Sequence, residues 1–252
     1  MEIEGRVALV TGANRGIGAA ITTALIADGA KRVYAGMRHP PAGLGERSTG
    51  IIPIELDITN AAHVARAAVV CADTEILVNN AGIALIQPLI AAPDPLAAEQ
   101  EMRVNYFGLL AMCRAFAPVL ARNGGGAIVN VLSLVARVPM WFGGSYSASK
   151  AAALSLTQSI RGELSGQRTL VIGVLPGSVD TDMTQGLDVE KVAPSVVATA
   201  IVAALREGTD DVYPGPAADI AAALLRDPKA VERQFASRSA FLASSGVPAR
   251  AS

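Results

Sequence analysis

The sequence predicts a doubly wound α/β fold on a parallel sheet of seven strands, and three observations carry that expectation. Short, continuous apolar runs alternate with Ala- and Leu-rich helical patterns along the 252 residues, as strands buried on both faces and their crossover helices do. A glycine-rich turn, Thr11-Gly12-Ala13-Asn14-Arg15-Gly16-Ile17-Gly18, follows the first run and opens directly onto a helix. A later run ends at Ser133, at the sheet edge where such folds place their ligands, and leads into a helical pattern carrying Tyr146 and Lys150. The length suits one domain, residues 1–252, with a C-terminal helical tail at about 217–245.

The elements follow in order. Val7 to Val10 forms the first strand. Gly12 permits the sharp turn after it, and Gly16 and Gly18 let the N-terminus of the helix Ala19–Ala27 approach a pyrophosphate. Arg32 to Met37 is the second strand; the stretch His39–Gly50, rich in Pro and Gly, shows no helical period. Ile51 to Leu56 is the third strand, with Asp57 and Ile58 at its end. Thr59 is expected to cap an Ala-rich helix running through Cys71, on which His63 reads as a surface residue. Glu75 to Val78 is the fourth strand and ends in Asn79-Asn80-Ala81-Gly82. After a loop at Pro88–Pro95, a long helical pattern runs from Leu96 to about Arg122, contains Asn105, and stops at Asn123 and Gly124 to Gly126.

The fifth strand is Ala127–Leu132, and the helix bearing Tyr146 and Lys150 continues to about Leu164. Thr169 to Leu175 is the sixth strand, followed by Pro176-Gly177-Ser178-Val179-Asp180-Thr181-Asp182-Met183 and a short cover at Gln185–Ala193. A helix at Pro194–Arg206, a seventh strand at Asp211–Tyr213 and a helical pattern from Ala218 to about Phe235 complete the chain, with fraying expected at Gly246–Ser252.

Composition excludes several function classes. Hydrophobic residues make up 51% and aromatic residues only 4%, so the core is aliphatic. A formal net charge of -1 and a pI near 6.1 give no basic excess for nucleic acid or an anionic membrane. Cys71 and Cys113 sit in apolar helical patterns and read as reduced core thiols; no residue cluster predicts a metal. The charged start, Met1 to Arg6, runs directly into a strand, which argues against a signal peptide. Apolar runs such as Val196–Leu205 are too short to span a bilayer, so a cytoplasmic enzyme is expected.

The stretch Asn130–Lys150 carries the chemistry. Tyr146 and Lys150 are four residues apart, hence on one helix face a turn apart. A phenol normally titrates near pH 10, too high for proton exchange at neutrality, and a nearby ammonium favours phenolate. Lys150 is therefore expected to lower the Tyr146 pKa, with Ser133 holding a substrate oxygen against the phenol. That is proton-transfer machinery for a carbonyl–alcohol pair.

Taken together, the glycine turn in its G-x-x-x-G-x-G form, Asn79-Asn80-Ala81-Gly82, Ser133 with Tyr-x-x-x-Lys, and Pro176-Gly177 resemble the short-chain dehydrogenase/reductase family, in its compact branch. The resemblance covers roughly residues 5–215. It implies a Rossmann fold with strand order 3-2-1-4-5-6-7 and a catalytic tetrad of Asn105, Ser133, Tyr146 and Lys150, with Asn105 kinking its helix and sustaining a proton relay. It implies that Asp57 and Ile58 flank an adenine, that Asn79, Ala81 and Gly82 lie along the cofactor, and that Lys150 binds its ribose. Pro176 and Gly177 would border the nicotinamide, with Val179 and Thr181 beside it. Gly12, Asn14, Arg15, Gly16, Ile17 and Gly18 would form the pyrophosphate turn, and Tyr146 would touch the cofactor too. Family members that prefer NAD carry a carboxylate at the end of the second strand. Here Met37 and Arg38 stand there, and Arg15 adds a second guanidinium, so NADP(H) with its 2′-phosphate is expected.

The function expected is NADPH-dependent reduction of a small-molecule ketone or aldehyde, reversible to secondary alcohol oxidation. The rivals are an NAD-linked alcohol dehydrogenase or dehydratase on the same scaffold and a non-catalytic dinucleotide sensor. Such sensors often lose Tyr or Lys, and both are kept here. Leu134, Val135, Val138, Met140, Trp141, Phe142, Met183 and Leu187 are expected to wall an apolar substrate pocket, with Arg137 turned to solvent. A homodimer or homotetramer is implied, through the helices carrying Asn105 and Tyr146, where Ala111, Ala115, Ala151 and Ala152 suit close approach. The segment Val212-Tyr213-Pro214-Gly215-Pro216 departs from the glycine-rich turn that helps relatives build tetramers.

Overall fold

A computed structural model describes residues 1–40 and 50–244. Its strands are β1 (Val7–Thr11), β2 (Arg32–Met37), β3 (Ile51–Glu55), β4 (Ile76–Asn79), β5 (Gly126–Val131), β6 (Thr169–Val174) and β7 (Asp211–Val212). All pair in parallel, in the order β3-β2-β1-β4-β5-β6-β7. The sequence reading of seven strands in that order holds. Successive residues of β1 divide between the two faces: Val7 and Leu9 enter one core, Ala8 and Val10 the other. On the first face lie α2 (Ala61–Val70), α4 (Leu109–Arg122) and α5 (Gly144–Leu164); on the second, α1 (Gly16–Ala27) and α6 (Pro194–Glu207). Strand order reverses between β1 and β4, which opens a crevice at their C-terminal ends.

The helix before β5 has a break in its winding. α3 (Ala97–Met102) passes into π-helical turns at Arg103–Gly108 and then into α4, a continuous helical stretch of 26 residues. By length and composition alone it could cross a membrane, which corrects the expectation that no apolar stretch reaches that size. In this fold Met112, Phe116 and Leu120 on it are wholly buried in the sheet's core.

Three local expectations are corrected. Asn60, not Thr59, caps α2, accepting from the amides of Ala62 and His63, because Thr59 is spent on the Asp57 carboxylate at 2.7 and 2.8 Å. The tail is two helices, α7 (Ala217–Arg226) and α8 (Pro228–Ser244), since Pro228 holds Asp227 in an extended backbone at φ −148°. Leu134 and Val138 do not line an open wall: Ala217 of α7 and Val231 of α8 cover them, forming a satellite core with Tyr213, Ile220 and Phe235 around it. The expectations placed on 41–49 and on 246–252 lie outside the described residues.

A polar ladder runs through the first core. Asn79 donates to the Asn130 side-chain oxygen at 2.9 Å, Asn130 donates to the Thr157 hydroxyl at 3.0 Å, and Thr157 donates to Ala153 O at 2.7 Å. It fastens the ends of β4 and β5 to α5. Replacing Asn130 with Leu leaves the Asn79 amide without its acceptor in a buried place, at an expected cost of about 1–3 kcal/mol. Thermal or urea denaturation should show that loss, with Thr157→Val losing less.

Candidate active site

The site assembles where β1, β4 and β5 end. Gly12 and Gly16 take positive φ, 65° and 53°, which a side chain would resist. A Cβ on Gly18 would lie 2.2 Å from Gly12 O, so only glycine lets α1 start this close to the strand. The start of α1 has no side-chain cap and no acidic residue in its first turn. Its unpaired amides therefore suit an anion such as a pyrophosphate. Asn80 braces this turn, donating to Thr11 O at 3.0 Å and Gly12 O at 3.1 Å, while the Thr11 hydroxyl accepts from the amides of Asn80 and Ala81 at 3.0 Å.

The proposed tetrad residues gather beside it. Lys150, almost fully buried, donates to Val131 O at 3.0 Å, and its Nζ stands 5.8 Å from the centre of the Tyr146 ring. Ser133, whose hydroxyl accepts from Val135 N at 3.3 Å, stands near enough to the Tyr146 phenol to stabilise its ionised form. Asn105 sits in the π-helical turns, buried, where its side chain donates to Ile83 O and to the Ser149 hydroxyl and accepts from Ile83 N, each at 2.9 Å. The helix distortion expected at Asn105 is thus present. Gly82 makes room: a Cβ there would lie 3.0 Å from the Asn105 oxygen and 3.5 Å from Lys150 Nζ.

Electrostatics overturn one expectation. Burial pushes the Tyr146 phenol up to about 12; the Ser133 hydrogen bond offsets part of the rise and the Glu101 carboxylate adds to it. Burial also brings the Lys150 ammonium down to about 8. The phenol is therefore not lowered by Lys150 in this arrangement, because the ammonium is itself desolvated and is turned toward a backbone carbonyl.

The remaining predicted residues take these places. Arg38 is exposed at the end of β2 and near enough to Asp57 to stabilise its carboxylate. Burial alone would raise the Asp57 pKa, but hydrogen bonds from Thr59, aided by Arg38 and His63, hold it below the usual value. Arg15 pairs with Asp182 at 2.6 Å, joining the glycine turn to the segment after β6. Asn14 is exposed, and Ile17 packs against the second core. Val179 is buried and bridges to Val192, which holds the short cover in place, and Thr181 caps a turn at Asp182–Thr184. Val135 is buried and Met140, Phe142 and Leu187 are half-buried, while Trp141 and Met183 are about half exposed, at 47% and 49%. Arg137 is exposed and donates to the Tyr213 hydroxyl at 3.1 Å.

Asn80 and Glu101 are the residues that sequence reasoning missed. Asn80 stands inside a quoted motif, yet what it bonds depends on where β1 ends. Glu101 reads as one more solvated helix charge, although it lies one turn before Asn105 on the same face. Cys71 and Cys113 are buried thiols pushed up to about 12 by burial, as inert core cysteines are. Among the described residues no group of three His, Cys, Asp or Glu side chains could hold a metal.

Comparison with known proteins adds to this geometry. The family model described as short chain dehydrogenase matches residues 6–191. An uncharacterised oxidoreductase of Staphylococcus haemolyticus is 34% identical over 218 residues, covering 82% of this chain and 93% of that protein. The 3-oxoacyl-[acyl-carrier-protein] reductase FabG of Vibrio cholerae is 32% identical over 200 residues, covering 76% of this chain and 80% of its own length. A short chain dehydrogenase from Burkholderia cenocepacia, solved in complex with NADP, superposes with a TM-score of 0.88 at 48% identity, covering 93% of this chain and 99% of that one.

The two shifted groups give a pH prediction. The unfolded chain protonates Lys150 up to about 10.5, the folded chain only to about 8, so this residue makes stability rise with pH between those values. Tyr146 works in the opposite sense above pH 10, as the buried thiols do above pH 9. In the difference between wild type and Lys150→Met the thiol contributions cancel. The melting temperature of wild type relative to that variant should therefore climb by several degrees, on the order set by the size of the chain, from about pH 8 to pH 10.

Proposed function

The chain belongs to the short-chain dehydrogenase/reductase family, and from that premise we propose that it is an NADP(H)-dependent carbonyl reductase acting on hydrophobic ketones or aldehydes. The observation that carries this reading is the grouping of Ser133, Tyr146 and Lys150, with Lys150 also near Gly82 and Asn105, beside the glycine turn that opens α1. NADP(H), when bound, supplies or accepts the hydride. The start of α1, with Gly12, Gly16 and Gly18, would hold its pyrophosphate; Asp57 and Ile58 would flank the adenine; Pro176, Gly177, Val179 and Thr181 would border the nicotinamide. Arg38 takes the 2′-phosphate, a role supported by the lack of a carboxylate at Met37 and by the NADP complex of the Burkholderia cenocepacia relative. Arg15 joins it only by exchanging Asp182 for the phosphate, a modest cost for an exposed ion pair.

In the reductive direction Ser133 holds the carbonyl oxygen by a hydrogen bond, and Tyr146 gives its phenolic proton to that oxygen as negative charge develops there. A protonated phenol at neutral pH is the form an acid needs, which accords with its raised pKa. Lys150 holds the ribose and, with Asn105, carries the replacement proton toward the phenol. In this reading one domain does all of this, in the cytoplasm, as at least a dimer. Phe107, exposed at 57% beside Tyr106 in the distorted helix, supplies part of the apolar contact between copies.

Tyr146→Phe should lower kcat by about three orders of magnitude or more while NADPH binding, followed by fluorescence titration, stays near the wild-type value. A variant that keeps over about a tenth of the activity would remove Tyr146 from the mechanism. Substrate and cofactor are tested together with a panel of alicyclic and aryl ketones, 3-oxoacyl thioesters and a short keto acid, each run with NADPH and with NADH. The apolar ketones should give the highest kcat/KM with NADPH, and Arg38→Asp should reverse the cofactor preference. Preference for the keto acid, or equal use of NADH by wild type, would overturn those parts of the reading.

A further inference from the structure

Glu101 is wholly buried, and the reaction as described does not use it. One carboxylate oxygen accepts from the amides of Leu85, at 2.6 Å, and Ile86, at 3.4 Å; the other has no partner among the described residues. A buried carboxylate with an unmet oxygen is costly, and the segment it grips adds a second cost. Ile86 sits at φ 52°, in the left-handed region, where a β-branched residue is strained by about 1–3 kcal/mol. Two such costs side by side, next to the reacting groups, call for a reason.

The segment's other contacts supply it. The next carbonyl, Gln87 O, accepts from both the amide and the hydroxyl of Ser145, at 3.3 and 3.2 Å. Ser145 is buried in the first turn of α5, a helix with no side-chain cap, and it immediately precedes Tyr146. The Ile86 side chain faces Gly143, where a Cβ would lie 3.6 Å from its Cγ2 and 3.2 Å from Met140 Cε. Leu89 closes on Gly144, within 2.9 Å of where a Cβ would stand. The loop Leu85–Leu89 is thus held from α3 at one end and seats the start of α5 at the other, with Ile86 pressed onto the Met140–Gly143 turn.

We infer that Glu101 is a positioning residue for the reaction: by gripping the amides of Leu85 and Ile86 it fixes the loop that seats the start of α5, and so sets where the Tyr146 phenol and the Ile86 wall stand toward the substrate. This rests on the reading of Tyr146 as the proton donor. It explains why a left-handed isoleucine persists where glycine would cost nothing, since glycine would give up the wall. It also explains why the carboxylate is buried, because two amides on a turn aim at a single acceptor and water cannot reach it.

The test compares Glu101→Leu, which keeps bulk but no acceptor, with Glu101→Gln, which keeps the acceptor oxygen. Glu101→Leu should lower kcat by about tenfold to a hundredfold, the loss expected for a reacting group displaced by a fraction of an ångström, and should raise KM. NADPH binding should stay within about twofold, and Glu101→Gln should recover most of kcat. A Glu101→Leu protein with wild-type kcat and KM overturns the inference, and so does a Glu101→Gln protein as impaired as Glu101→Leu. Hydrogen exchange at Leu85, Ile86 and Ser145 reads the grip without any turnover. Those amides should exchange faster in Glu101→Leu while those of β4 and β5 do not, and unchanged protection also overturns it. Wild type without activity on any carbonyl would instead sink the reductase reading, with the exchange result still deciding the grip. Should Glu101→Leu not fold, Ile86→Gly takes its place: it should fold at least as stably as wild type yet raise KM for the ketone, with NADPH affinity unchanged. An unchanged KM there counts against the inference.

Discussion

Everything at the C-terminal edge of the sheet depends on one close approach, that of α1 to the end of β1. Gly18 lies against Gly12 O so tightly that no side chain fits, and the Asn80 amide fills the remaining polar need by bonding two carbonyls of the turn. Asn80 belongs to the end of β4, so the same contact sets the height of β4 against β1. Asn79, its neighbour, then ties β4 to β5 and α5 through Asn130 and Thr157. A strand-end motif thereby acts in two directions at once: outward to the anion-binding turn, inward to the helix that carries Tyr146 and Lys150. The sheet's hydrophobic faces hold the layers together, but these amides set the register of the pieces that meet at the site.

Burial at that meeting point has opposite effects on the two titrating groups. It makes the phenol hold its proton and the ammonium release one, so each is driven toward its neutral form. A neutral phenol is a competent proton donor, whereas an ion pair between phenolate and ammonium would already have given the proton up. The order of events follows. On the proposed reading the phenol donates only when negative charge grows on an oxygen held at Ser133, and Lys150, turned to Val131 O, stands ready to replace the proton rather than to pull it away beforehand.

The fold was legible in the sequence because its central strands β1, β4, β5 and β6 are apolar runs, and the turns after β1, β4 and β6 are distinct strings rich in Gly, Asn or Pro. The grouping of three candidate catalytic residues was legible as spacing, since Tyr146 and Lys150 share a helix face by arithmetic and Ser133 follows a strand; Asn105 came only from the family resemblance. What escaped has a common cause, since it depends on which of several competent partners a residue meets. Thr59 and Asn60 can both cap a helix, and Asp57 decides between them. Leu134 and Val138 have the right composition for a substrate wall, but the tail reaches them first. Lys150 stands near Tyr146 as expected, but it is turned to Val131 O, and burial sets the phenol's pKa. Glu101 has no signature at all, because a buried and a solvated glutamate look alike until the loop that covers one of them is placed.

The tail's occupation of Leu134 and Val138 changes which surfaces remain for a substrate. Ala217 also approaches Gly177, within 3.9 Å of where a Cβ there would stand, so the tail closes the side of the crevice where β5 and β6 end. Of the apolar wall proposed from sequence, the members left accessible are Trp141 and Met183, with Met140, Phe142 and Leu187 behind them. Ile86 packs beside Met140 on Gly143 and Leu89 on Gly144, with Ile90 fully exposed next in the chain. On the proposed reading the substrate then enters between two loops rather than along the sheet. One lip is fastened by Glu101 and Ser145, the other by the Val179–Val192 bridge. The first lip is apolar, whereas the second sets Met183 and Leu187 among the exposed carboxylates of Asp180, Asp182, Asp188 and Glu190, so an apolar substrate would gain from shape and from area removed from water, at about 25 cal/mol per Å², while an anionic one would meet like charge. On the proposed reading the carbonyl oxygen is fixed between Ser133 and Tyr146.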